Sequence, residues 1–320
     1  MRAISFCTYA GGFVEGAQWH FDVLANYEPE HNYTETFKAN HPLVEHIVFK
    51  DLWEFNDYGQ IDYIFGNPPC AMFSVANSNK KENDPRFSHH YLGIHLIRHY
   101  QPKVFVSESV MGILKKGKWL LDKYQQEGYK MTLFKHNTKY LGVPQNRKRV
   151  FIILSQYELE WSTISRPFTV GDVIKDVPHP GRQDIYSRTC QSHLDLFGDQ
   201  LLPGQNMTKV WDKEIEPRHP SLGIYRMDFD KPSNVLMGYG KIHPTENRWL
   251  GINELKRIGT YPDTYEFKGN PKTWAAQMGQ AVQPAAGEWI SKMAHDTIQS
   301  ARPVIDTSMT VVDINELILL

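Results

Sequence analysis

The chain reads as an α/β protein, a mostly parallel sheet with helices on its faces, joined to a second, smaller and irregular domain. Strand-like and helix-like segments alternate from residue 1 to about 155, the pattern of a parallel sheet covered by crossover helices. Gly11-Gly12, with Gly16, follows the first strand-like run, where such folds let a ligand approach the backbone. From about 156 to 235 periodicity fades and Pro, Gly, His and polar residues dominate, so a loop-rich region is expected from near Pro167.

The chain has 320 residues, 41% of them hydrophobic and 22% charged, an ordinary globular composition with room for two domains. No run approaches the roughly 20 apolar residues of a membrane span. Met1-Arg2-Ala3 enters a strand-like run directly, leaving no room for a signal peptide, so a cytoplasmic protein is expected. Three cysteines, Cys7, Cys70 and Cys190, suit free thiols in a reducing compartment. Cys190-Gln-Ser-His193 is half a metal site at most, and no metal is expected. The net charge of -1 lacks the basic excess usual for nucleic-acid binders. A locally positive cleft can still exist, and Arg147-Lys148-Arg149 would form one.

In chain order, Ala3 to Thr8 reads as the first strand and Phe21 to Asn26 as the second, ending at Glu28. An acidic residue there can accept hydrogen bonds from ribose hydroxyls. Asp51, after Ile47-Val48-Phe49, either ends a third strand at the same edge or caps a helix. Ile61 to Phe65 reads as a buried strand that Pro68 and Pro69 must stop, since proline cannot extend a ladder. Tyr91 to Tyr100 shows helical spacing, with Leu92, Ile94 and Ile97 facing inward. Val104-Phe105-Val106 is a buried strand leading to Glu108. Lys115 to Tyr129 reads as a helix, and Met131 to Phe134 and Arg149 to Leu154 as strands. Gly251 to Gly259 reads as a helix, and Gln277 to Pro284 opens a last helix through Ser300. The tail from Pro303 to Leu320 is apolar enough to pack on something unspecified.

Cys70 falls where a central strand ends, so its thiol points into the crevice at the carboxyl edge of the sheet and is a candidate nucleophile. The plainer alternative is a small buried hydrophobe. Glu108 reaches the same edge. A carboxylate ending an apolar strand is costly unless paired or protonated, so burial should raise its pKa and suit it to donate a proton. Arg147 and Arg149 alternate at strand period and share a face. The segment Asn77 to Arg86 is too polar for core and reads as a mobile loop or a solvated one.

Five short stretches in order carry a resemblance: Pro68-Pro69-Cys70 with Phe73-Ser74; Glu108-Ser109-Val110; Gln145-Asn146-Arg147-Lys148-Arg149; Glu246-Asn247-Arg248 leading to Glu254 and Tyr261-Pro262-Asp263; and Gly279-Gln280-Ala281-Val282-Gln283-Pro284. From about residue 5 to 290 the chain resembles the DNA cytosine-5 methyltransferases. That resemblance implies a Rossmann-like class I methyltransferase sheet in residues 1–160, completed by the helix in 276–302. Residues 161–275 would hold the target recognition domain, leaving 303–320 as a tail of unknown role. It implies methyl transfer from S-adenosylmethionine to C5 of a cytosine flipped out of double-stranded DNA.

By the same resemblance Cys70 adds to C6, Glu108 protonates N3, and Arg149 with Arg147 holds the base and nearby phosphate. Phe6, Gly11, Gly12, Phe13, Glu28, Asp51, Asn67, Pro68, Gln280, Ala281 and Val282 would border the cofactor, Glu28 at its ribose and Asp51 at its adenine. Ser74, Gln145 and Arg248 would touch substrate, the loop from Ala71 to Ser88 would close over the base, and the enzyme would act as a monomer.

The chain departs from the family pattern in places. Ser5 to Gly12 lacks the usual Asp and first Gly, Tyr9 would crowd the cofactor loop, Ala71 replaces a glutamine, and Gln280 stands where an asparagine is usual. The last departure makes a modified sulfonium donor one alternative. The others are an exocyclic-amino DNA methyltransferase, suggested by Asn67-Pro68-Pro69, a tRNA cytosine-5 methyltransferase, and an inactive DNA-binding relative.

Overall fold

The structure is a computed structural model that describes residues 1–29, 33–48, 55–73, 87–179, 188–220, 223–236 and 240–318. Its strands, in chain order, are β1 (Arg2–Phe6), β2 (Asp22–Glu28), β3 (Glu45–Val48), β4 (Tyr63–Gly66), β5 (Val104–Val110), β6 (Lys130–Asn137), β7 (Gln145–Asn146), β8 (Lys148–Ser155), β9 (Tyr225–Arg226), β10 (Ser233–Asn234), β11 (Lys241–Ile242) and β12 (Thr310–Asp313). Its helices are α1 (Gly12–Ala17), α2 (Thr34–Asn40), α3 (Phe87–Tyr100), α4 (Ile113–Lys116), α5 (Lys118–Gln125), α6 (Val170–Ile174), α7 (Arg188–Phe197), α8 (Ile252–Ile258), α9 (Trp274–Gln280), α10 (Pro284–Ser300) and α11 (Ile314–Ile318).

Among the described residues the main sheet runs β12-β6-β8-β5-β4-β1-β2-β3. Every pairing is parallel except those of β8, which lies antiparallel between β5 and β6. Both faces are covered, as the near-continuous apolar strands require. One face packs Phe65, Val104, Val106 and Phe151 against Phe13 and Val14 of α1 and Trp289, Ile290 and Met293 of α10. The other packs Ile4, Ile64, Phe105 and Ile152 against Leu92, Leu96 and Ile97 of α3 and Leu120 and Tyr124 of α5. Each fully buried large side chain contributes about 1.5–3 kcal/mol, so the two layers outweigh any single polar contact.

Leu92, Ile94 and Ile97 are buried as expected. Two expected helices are interrupted. Residues 115–129 hold α4 and α5, separated at Gly117, and the last helix is α9 and α10, separated by extended backbone. Pro284 has no N–H to continue α9 but suits the first turn of α10. The tail adds an edge strand: β12 pairs in parallel with β6, Ile314 is buried, and Asp313 pairs with Lys135 at 2.9 Å. No helix of the described residues is long and apolar enough to cross a membrane.

Residues 170–278 hold a third core, in which Val170, Leu194, Phe197, Leu255, Ile258, Tyr261, Tyr265 and Met278 meet Ala10 of the glycine turn. Its regular elements are short, consistent with faded periodicity. Arg248 ties it together with two 2.9 Å bonds to Glu254, while Glu254 accepts the Gly251 N–H that opens α8.

Candidate active site

β4 ends at Gly66, and Asn67-Pro68-Pro69 carries the chain to half-buried Cys70. A short turn follows, in which the Phe73 N–H donates to the Cys70 carbonyl at 2.9 Å. β5 pairs with β4 up to Gly66 and Ser107, so Glu108 comes one residue beyond the last pair, at the carboxyl edge. β8 runs the other way and begins where β5 finishes, with Arg149 opposite Val110. That reversal delivers Arg149 Nε to 3.1 Å and Arg147 Nη2 to 3.6 Å from the same oxygen, Glu108 Oε1.

Burial of Glu108 is thus met by pairing, one of the two ways open to it, and not by isolation in an apolar site. Neither Arg147 Nε nor Arg149 Nε finds an aligned acceptor, so the pairs are close without being saturated. Burial pushes the Cys70 thiol up, Glu108 adds to that, and Arg149 and then Arg147 oppose it. The resting sulfur is therefore a thiol, beside cations that favour its anion.

The second half of the site lies along β1, β2 and β4. Tyr9, at φ 55°, and Gly11, at φ 87°, shape the glycine turn. A side chain at Gly11 would strike His41 and the Tyr265 hydroxyl. Glu28 is buried at the end of β2, where Oε2 accepts the Tyr9 N–H at 3.1 Å. Asn67 donates to the Gln280 carbonyl at 3.0 Å, and its own carbonyl oxygen is buried without a partner. Arg147 donates to the carbonyls of Gly279 at 2.6 Å and Ala281 at 3.4 Å. One buried guanidinium therefore joins Glu108 to the 279–281 segment.

Several expected site residues have other uses. Phe6 stacks on Phe105, and Phe13 packs on Phe65 with ring centroids 4.6 Å apart, so both side chains are core and only their backbone can face a ligand. Val282 is likewise core, and Pro68 and Ala281 are buried. Gln145 is fully buried, donating to the Ile258 carbonyl and accepting from the Leu236 N–H, which leaves no end for substrate. Arg248 is engaged with Glu246 and Glu254. Gln280 is exposed, and its side chain accepts the Tyr33 hydroxyl at 2.8 Å. Tyr9 does not fill the turn but leans toward Tyr33, with ring centroids 6.2 Å apart. Asp51, Ser74 and most of the 71–88 loop lie outside the described residues.

Three contributors escaped sequence reasoning. His41, held near a pKa of 4 by burial, contacts Gln18 and the Tyr265 hydroxyl. Tyr265 in turn donates to the Ala10 carbonyl, bracing the glycine turn from the third core. His90, in a helix legible only by its apolar stripe, reaches Pro69. No local spacing marks any of these contacts.

The profile of the family described as C-5 cytosine-specific DNA methylase matches residues 1–295. Over 297 residues the chain is 26% identical to type II methyltransferase M.FnuDI of Fusobacterium nucleatum, covering 83% of this chain and 86% of that protein. It is 28% identical over 304 residues to type II methyltransferase M.NgoPII of Neisseria gonorrhoeae, covering 83% and 87%. Among solved structures, the Entamoeba histolytica methyltransferase EhMeth superimposes with a TM-score of 0.64 at 14% identity, over 93% of this chain and 98% of that one. A Spodoptera frugiperda DNMT2 variant gives 0.64 at 14%, over 92% and 99%. At such identity these two bear on the fold alone, that of a class I methyltransferase. The profile match spans nearly the whole chain, and the protein accordingly belongs to the C-5 cytosine-specific DNA methylase family, enzymes that methylate C5 of cytosine in DNA.

Proposed function

We propose that Cys70, Glu108, Arg147 and Arg149 carry out this reaction on a cytosine flipped out of double-stranded DNA, through a covalent bond from Cys70 to C6. The supporting observation is the convergence of both guanidiniums on Glu108 Oε1 beside the Cys70 turn. A base within the stack cannot reach a cleft at a sheet edge, and extruding it costs a few kcal/mol.

Cytosine C5 is a weak nucleophile until sulfur adds to C6. In that step the Cys70 S–H proton passes by way of the Glu108 carboxylate to N3 as the S–C6 bond forms, and the electrons of the C5–C6 double bond shift so that C5 gains enamine character. Glu108 is the group that holds the proton at N3. Arg149, the less buried of the two guanidiniums, engages the base or its phosphate, and Arg147 keeps Glu108 in place. After C5 is alkylated its proton passes to water, the C6–S bond breaks, and the sulfur leaves as a thiol, taking back the proton that N3 held.

S-adenosylmethionine, when bound, supplies a methyl group on a sulfonium sulfur. The residues suit it: Glu28 would hold its ribose, the turn at Gly11 and Gly12 would border its methionine part, and the unpartnered Asn67 oxygen is a polar group in need of a ligand. Asp51 is assigned to its adenine. Residues 161–275, apart from the 303–320 tail, are assigned to target recognition. The type II relatives favour a restriction–modification setting, and we place the enzyme in the cytoplasm as a monomer.

The test uses DNA amplified with 5-fluoro-dCTP, so that every sequence context carries the trap. Fluorine at C5 cannot leave as a proton does, and the adduct persists. A denaturant-resistant complex is expected with the wild type and donor, and none with Cys70→Ser. An adduct in Cys70→Ser, or methylation without any adduct in the wild type, would refute the mechanism.

A further inference from the structure

Within the Cys70 mechanism just described, on which this rests, we infer that His90 is a positioning residue for the nucleophile, fixing the Pro69–Cys70 peptide so that the sulfur faces the target ring. His90 lies in α3, with 1% of its surface exposed. Its Nε2 sits 3.0 Å from the Pro69 carbonyl oxygen. A carbonyl only accepts, so Nε2 carries the proton and the tautomer is determined. Burial holds the imidazole near a pKa of 4, and it is neutral at working pH.

The contact falls where the sheet no longer holds the chain. β4 has ended at Gly66, and neither Pro68 nor Pro69 has an N–H to give. Among the described residues two tertiary bonds hold this turn: Asn67 to the Gln280 carbonyl, and His90 to Pro69. The Pro69 carbonyl shares a rigid plane with the Cys70 N–H. Holding the carbonyl therefore sets the direction of that N–H and, with it, the backbone from which the Cys70 sulfur projects.

The peptide after Cys70 is held separately, by the Phe73 N–H. Phe73 packs edge-on against the His90 ring at 5.3 Å, and the Tyr124 hydroxyl reaches the His90 carbonyl at 3.5 Å. His90 is thus the link between the rigid α3–α5 layer and the turn that carries the thiol. A histidine that merely satisfied its own nitrogen would matter for folding and not for the rate of sulfur addition.

Two variants separate these roles. His90→Phe keeps a ring against Phe73 and removes the donor, while His90→Gln restores an N–H at a similar reach. With the 5-fluorocytosine DNA above, His90→Phe should form the adduct about 10- to 100-fold more slowly, the penalty typical of a misplaced reacting group. DNA affinity should stay within about twofold, and His90→Gln should recover most of the rate. Should His90→Phe fail to fold, His90→Leu carries the same comparison. An adduct rate in the apolar variant within twofold of wild type, or a His90→Gln no faster than it, would overturn the inference. Absence of adduct in the wild type would instead remove the covalent mechanism itself, so the two failures are distinct.

Discussion

Arg147 donates to the carbonyl oxygen of Gly279 at 2.6 Å, across 132 residues of sequence. The same guanidinium lies 3.6 Å from Glu108, so one buried side chain holds both the carboxylate and the segment proposed to border the cofactor.

Replacing Arg147 should therefore damage stability and cofactor binding together. Arg147→Met leaves Glu108 with Arg149 alone and strands two buried carbonyls, at a cost of about 3–5 kcal/mol. Arg147→Lys should not rescue it, because a point charge cannot span three acceptors. Urea denaturation and S-adenosylmethionine titration check this. A loss below about 1 kcal/mol would show that the buried pair contributes little.

The thiol should titrate late. Burial and Glu108 raise the Cys70 pKa, so alkylation by iodoacetamide in a Cys190→Ser background should still be accelerating above pH 8.5, the ordinary thiol value. Glu108→Gln removes a negative charge and should move the midpoint down, and Arg149→Gln removes a positive one and should move it up. Identical midpoints in all three proteins would contradict the electrostatic reading of the site.

Acid should destabilise the fold before the carboxylates titrate. His41 and His90 are held near a pKa of 4 and His136 near 3, each chiefly by burial. Unfolded histidine takes its proton near pH 6.5, so below that the unfolded state binds more protons and stability falls toward about pH 4. Each such group adds about 1.4 kcal/mol per pH unit once its titration is under way. His136, stacked on Phe151 with centroids 4.4 Å apart, offers the check. His136→Phe should shallow the fall of melting temperature between pH 6.5 and 4, and an unchanged slope would remove His136 from the account.

Gly16→Ala should destabilise, although alanine favours a helix by about 1 kcal/mol. A Cβ at Gly16 would lie 2.2 Å from the Pro284 carbonyl oxygen and 2.4 Å from the Glu288 nitrogen, backbone atoms of α10 that cannot turn aside. Overpacking of this kind costs about 1–3 kcal/mol or more. A melting temperature equal to or above wild type would mean that α10 does not sit this close to α1.

Local order already specified the frame. The apolar run before Asn67-Pro68-Pro69 had to stop, and the Val104 strand had to carry Glu108 outward, so Cys70 and Glu108 could be set at one edge from the residues alone. The pairing of Arg147 with Arg149 was legible as a spacing, but Arg147 lies in the break between β7 and β8, so strand period places only Arg149. Whether Arg149 met Glu108 depended on β8 running antiparallel beside β5, which no spacing reports. Folding likewise turned Gln145 and Arg248 into braces of the third core, buried the side chains of Phe6 and Phe13, placed the tail as β12, and brought His90 under Pro69. The physical reason is common to all of these. Periodicity records the face a residue occupies, whereas a polar group's role depends on which partner lies within about 3 Å of it, and chain topology alone sets that distance.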